Sequence, residues 1–110
     1  MPYYLMQFAY TADAWSALTQ SPLDRAEAVK VLAAELGARV LGFYYCFGEY
    51  DGVVLLDAAD DTTAAAISMA ATLAGHLKAT RTTPLLSVEE TIEAVKKASA
   101  AGHRARAAAR

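Results

Sequence analysis

The stretch from Leu41 to Asp57 constrains this chain most. Two apolar, aromatic and β-branched runs, Leu41-Gly42-Phe43-Tyr44-Tyr45-Cys46-Phe47 and Val53-Val54-Leu55-Leu56, flank Gly48-Glu49-Tyr50-Asp51. Apolar runs of this length joined by a glycine-bearing connection predict a β-hairpin. Neither strand alternates with polar residues, so both of its faces must be covered. In the paired strands Val40, Tyr44 and Cys46 share one parity, and Leu41, Phe43, Tyr45 and Phe47 the other.

The rest of the chain supplies the partners of this hairpin. Tyr3 to Tyr10 reads as an inner strand, with Gln7 as its only strongly polar side chain. Thr11-Ala12-Asp13 offers a turn or cap before a short helical piece around Trp15 and Leu18. Ser21-Pro22 opens a long helix whose apolar stripe is Ala26, Val29, Ala33 and Leu36, with Arg25, Lys30 and Glu35 away from it and Gly37 as the stop. The strands of the hairpin are expected over Arg39 to Phe47 and Tyr50 to Ala59. Asp60-Asp61-Thr62 caps an alanine-rich helix reaching about Ala74. Lys78 to Thr83 is a polar edge strand closed by Thr83-Pro84. Ser87-Val88-Glu89-Glu90 is a capping box that starts a last helix, with Val88, Ile92 and Val95 as its stripe, through about Ser99.

The order β-α-β-β-α-β plus a C-terminal helix predicts an α+β, ferredoxin-like fold with a four-stranded antiparallel sheet. Two helices cover one face of such a sheet. The other face, also apolar, is expected to meet the same face of a second copy, giving a homodimeric α+β barrel. At 110 residues the chain is one domain. It divides into a body over 1–99 and an alanine- and arginine-rich tail over 100–110. The tail residues His103 to Arg110 carry three arginines and no acid, although the whole chain has a formal charge of −2. The tail reads as a solvated end, with a neighbouring subunit or RNA as the other possible contacts.

Cys46 is the only cysteine, so no disulfide can form within the chain. The start lacks the charged and apolar regions of a signal peptide, and no stretch approaches the ~18 apolar residues of a membrane span. A cytoplasmic location is expected. The acidic body and the lack of a base-stacking motif argue against nucleic acid. No metal-ligand spacing, phosphate loop or nucleophile elbow is present, so neither cofactor nor metal is expected.

Three blocks in order carry a family resemblance: Leu41-Gly42-Phe43-Tyr44-Tyr45, then Phe47-Gly48-Glu49-Tyr50-Asp51, then Thr82-Thr83-Pro84-Leu85-Leu86-Ser87. Together with the spacing of Tyr10-Thr11, Trp15, Pro22 and Arg25, the chain resembles the GYD domain family from Tyr3 to about Lys97. The namesake Gly-x-Tyr-Asp matches Gly48, Tyr50 and Asp51. The resemblance implies a dimeric α+β-barrel relative without transferring a reaction.

The candidate site residues are few. Asp51 can act as a general base with Tyr50 donating to a substrate oxygen, or both can simply fix the hairpin. His76, after Gly75, is the foremost acid–base candidate, or a partner for a helix C-terminus. Tyr44 and Tyr45 point to opposite faces and, with Trp15, are candidates for contacting a substrate or for packing. Cys46 reads as an inert mid-strand packing residue. Asp60 and Asp61 read as caps, and Asp57 lies near a strand end. The resulting expectation is a dimer with a cleft between sheet and helices for a small, partly apolar or aromatic molecule. If the chain is an enzyme, cofactor-free acid–base chemistry is expected. The alternative is a non-catalytic ligand-binding or assembly module.

Overall fold

The computed structural model describes residues 2–22 and 24–109. Its elements are β1 (Tyr3–Tyr10), α1 (Ala12–Gln20), α2 (Arg25–Glu35), β2 (Arg39–Tyr45), β3 (Gly52–Asp57), α3 (Asp61–Leu73), β4 (Leu77–Leu85) and α4 (Val88–Ala108). The strands form one antiparallel sheet in the order β2-β3-β1-β4. That order is the ferredoxin-like one. It puts β1 and β3, the two most buried strands, in the middle.

Alternation along β1 and β3 decides which face carries the core. Tyr4, Met6, Phe8 and Tyr10 of β1 and Val54 and Leu56 of β3 are buried together with Ala14 of α1, Ala33 of α2 and Ala64 and Ile67 of α3. Full burial of side chains the size of Met6, Leu56 and Ile67 stabilises the fold by about 1.5–3 kcal/mol each. Leu5, Val53 and Leu55 occupy the opposite face, which no helix covers, and remain partly accessible.

Each helix start is set by a side-chain oxygen that satisfies a free backbone N–H. Thr11 accepts from Ala14, Asp60 from Thr63 and Ser87 from Glu90. The Ser87–Glu90 capping box is complete in both directions, at 3.0 Å each way. The Asp60 carboxylate takes both the Thr63 hydroxyl and its N–H, and the Ser87 N–H donates to Glu90. These bonds hold both carboxyls below their usual range. Asp61 accepts from the Tyr4 hydroxyl at 2.7 Å, and this bond to a carboxylate pushes the Tyr4 phenol up to about 12.

Five details differ from the sequence expectation. Helix α2 is capped by Asp24, whose carboxylate accepts from Glu27 N–H at 3.1 Å, while Ser21 closes α1. A register shift between Val40 and Gly42 places Val40 opposite Leu56, on the same face as Phe43 and Tyr45. Bulges add one residue to a strand and so reverse its parity. Strand β2 ends at Tyr45, leaving Cys46 in an exposed connection with Sγ donating to the Tyr50 carbonyl at 3.2 Å. Pro84 lies within β4, opposite Tyr4, as an edge strand permits. Helix α4 continues through Ala108, because Ala98 to Ala101 carry helical propensity past Ser99. Every described residue of α4 is exposed, Val88, Ile92 and Val95 included.

Candidate functional site

The end of the sheet where β1 finishes is also where β3 and β4 begin. Tyr10, Gly52 and Leu77 therefore lie at one edge, with Asp51 and His76 immediately beside them in sequence. Asp51 is anchored here: Oδ2 accepts from Tyr10 N–H at 2.8 Å and from the Trp15 indole N–H at 3.3 Å. Its own N–H donates to the Phe8 carbonyl at 2.8 Å, and its carbonyl accepts from Cys46 N–H at 2.8 Å. One residue thus ties the hairpin connection to β1 and to α1. Gly48, at φ +135°, supplies backbone freedom in the same connection.

Aromatic rings converge on Tyr10. Trp15 meets it edge-on with ring centres 5.2 Å apart, and Phe8 lies at 5.2 Å on the same strand. The Tyr45 hydroxyl lies 3.4 Å from the Tyr10 hydroxyl. Burial and this contact push the Tyr10 phenol well above its usual range, so it stays protonated as a hydrogen-bonding group. The Arg25 guanidinium sits over the Tyr10 ring, 5.1 Å from its centre. Tyr44 points the other way, onto the uncovered face, and is 69% exposed.

Beside Tyr10 a cleft of ≈ 170 Å3 opens between the sheet, α2 and α3. Met6, Phe8, Tyr10 and Leu77 form its floor. Ala28, Val29 and Leu32 supply the α2 wall, and Ala70, Ala71 and Ala74 the α3 wall. The space exists because α3 presents alanines where larger side chains would fill it. Arg25 and His76 complete the lining. The His76 side chain is exposed, and its carbonyl accepts from Thr11 N–H at 2.9 Å.

Of the residues singled out from the sequence, His76 lines the cleft. Asp51 and Trp15 support its Tyr10 floor from behind, and Tyr45 reaches the Tyr10 hydroxyl. Tyr50 is partly buried in the hairpin connection, and Tyr44 lies across the sheet. Sequence reasoning passes over Arg25 and Tyr10 as lining, whereas the alanine-rich α3 is where it expects room for a ligand. The repeated small residues of α3 are the one available signal.

A family model described as the GYD domain matches residues 4–95. The chain belongs to the GYD domain family. No curated protein matches it. Among solved structures, this GYD domain is similar to TTHA0845 from Thermus thermophilus, at 19% identity and a TM-score of 0.53, covering 80% of this chain and 96% of that one. It also matches FFRP-DM1 at 15% identity and a TM-score of 0.49, over 78% of this chain and 100% of that one. An uncharacterised NIPSNAP domain protein from Burkholderia xenovorans matches at 16% identity and a TM-score of 0.43, over 80% and 95%. At such identities the likeness concerns the fold alone.

The GYD residues themselves form the hairpin anchor, which yields a direct expectation. Asp51→Ala leaves the N–H of Tyr10 and the indole of Trp15 without their acceptor. A lost acceptor for the part-buried Tyr10 N–H costs about 1–3 kcal/mol, and the exposed indole N–H adds little because water can replace its acceptor. Urea denaturation should show that loss, whereas Asp51→Asn, which keeps one oxygen acceptor, should show the smaller loss. Equal stability of the wild type and Asp51→Ala would remove the anchoring role. Among the described residues no three His, Cys, Asp or Glu side chains group together at metal-binding distances. No helix among them is long and apolar enough to cross a membrane.

Proposed function

We propose that this GYD domain is a small-molecule binding protein that works as a homodimer, with the cleft between sheet, α2 and α3 as the binding site. The observation carrying this reading is an apolar cleft kept open by the α3 alanines and floored by Met6, Phe8 and Leu77, with Arg25, Tyr10 and His76 as its polar groups. Small-molecule sites characteristically combine apolar walls with a few convergent polar groups. Binding fits the arrangement better than catalysis. Of the acid–base candidates His76, Asp51 and Tyr50, only His76 is on the lining, and Asp51 is committed to backbone and indole donors.

Filling the cleft tests the reading. Ala71→Leu adds three carbons on the α3 wall, where the side chain is already partly buried. Native mass spectrometry and ligand-observed NMR with a library of one-ring aromatic and short aliphatic compounds should find ligands for the wild type. Their affinity should fall at least about tenfold in Ala71→Leu, with an unchanged circular dichroism spectrum, because one misplaced methylene already strains a fitted apolar site. Undiminished binding by Ala71→Leu would place the ligand elsewhere.

A further inference from the structure

The cleft is apolar in its walls but lopsided in charge. Its two side chains able to carry charge near neutrality, Arg25 and His76, are both potential cations, and no carboxylate lines it among the described residues. Arg25 is the more informative. It occupies the first position of α2, where the helix dipole disfavours a cation. The neighbouring Asp24 carboxylate caps α2 by accepting from Glu27 N–H. No ion pair involves Arg25 among the described residues. Its Nε is shut off from solvent without a hydrogen-bond partner, while the guanidinium plane rests over Tyr10. The contact with the Tyr10 ring favours that placement, but the helix dipole opposes it, and the guanidinium has no charge partner within the described residues.

An anion in the cleft would supply the charge partner that Arg25 lacks. The two terminal amino groups of the guanidinium, which unlike Nε are not shut off, form an end-on fork that matches a carboxylate. Size narrows the rest of the molecule. The cleft measures ≈ 170 Å3, and an apolar cavity of about 150 Å3 accommodates benzene. Phe8 and Met6 on the floor and Ala71 on the wall offer only apolar contacts to that part.

We propose that the cleft takes a small organic acid, a monocarboxylate bearing one aromatic ring or a short alkyl chain, with its carboxylate on Arg25 and its apolar part over Phe8 and Met6. His76 stands on the same lining as a second donor to the acid. This inference rests on the cleft being the binding site and adds the charge and size of what it holds.

The test compares 4-methylbenzoate with 4-methylbenzamide, nearly equal in shape but differing in charge, by isothermal calorimetry or NMR titration on the full chain at pH 7. Wild type should bind the acid at least about tenfold more tightly than the amide, with the preference shrinking as salt is raised. Arg25→Gln should bring the acid down to the level of the amide and leave the amide unchanged. Arg25→Lys, which keeps the charge but loses the fork, should fall between. Equal affinity for acid and amide, or an acid preference that survives Arg25→Gln, overturns the assignment of charge and leaves the cleft reading standing. Failure of both probes to bind at millimolar concentration overturns both.

Discussion

Gly52→Ala is expected to lower the stability of the fold by about 3 kcal/mol, more than any other single-methyl addition on the sheet. Gly52 opens β3 and pairs directly with Phe8 of β1. A Cβ at Gly52 would overlap Phe8 Cζ and come within 2.7 Å of both Cε atoms. The ring can yield only toward the cleft that it floors, away from its aromatic neighbours. It is 3% exposed and is hemmed by Tyr10 at 5.2 Å, Phe43 at 5.5 Å and Tyr45 at 6.4 Å between ring centres. The glycine is therefore required by the close approach of a buried aromatic ring, with no demand on its backbone angles. Urea unfolding monitored by circular dichroism measures the cost. The double variant Phe8→Leu with Gly52→Ala should be less destabilised than the sum of the two single changes, because the smaller side chain vacates the overlap. Strict additivity, or a Gly52→Ala shift under about 0.5 kcal/mol, would contradict this packing.

The same corner shows what a sequence of this kind discloses. The split βαβ order, the apolar faces of β1 and β3 and the caps at Asp60 and Ser87 are legible because each is written in local chemistry: alternation, or an oxygen-bearing side chain before a helix. The Gly-x-Tyr-Asp stretch identifies the hairpin, yet Gly52, the residue after it, carries the tightest contact, and that contact comes from Phe8, distant in sequence. Simple alternation puts Val40 on the wrong face because a bulge reverses parity without changing composition. Ser21-Pro22 has the chemistry of a helix start, but Asp24 lies nearer the first α2 residue and serves as the cap. Periodicity treats any charge as outward-facing and so sends Arg25 to solvent. A long side chain can instead lay its stem and guanidinium along an aromatic surface, as Arg25 does over Tyr10. The cleft is visible only indirectly, in the repeated alanines of α3. Its polar lining depends on where three elements meet.

The uncovered face of the sheet carries the other large expectation. Leu55 stands near the centre of that face, opposite Leu5 on one side and Gly42 on the other, with Val53 on the same strand and Tyr44 opposite Val53. If solvent is its only neighbour, Leu55→Glu should be nearly neutral, because a glutamate on an open strand face costs at most about 1 kcal/mol in strand preference. If a second copy lays its own sheet on this face, the glutamate is carried into an apolar interface twice over, once from each subunit. Stranding an unpaired charge there costs about 3 kcal/mol or more, which is roughly 100-fold in dimer Kd. Light scattering after size exclusion should therefore give a dimer for the wild type at tens of micromolar and a folded monomer for Leu55→Glu. Lys30→Glu, on exposed α2 surface, should leave the dimer intact. A monomeric wild type would sink the dimer. A dimer indifferent to Leu55→Glu would move the contact elsewhere, and the exposed Val88, Ile92 and Val95 stripe of α4 is the next surface with apolar side chains to bury. The apolar content of both sheet faces makes the first outcome the expected one: contiguous apolar surface of this kind is seldom left facing water.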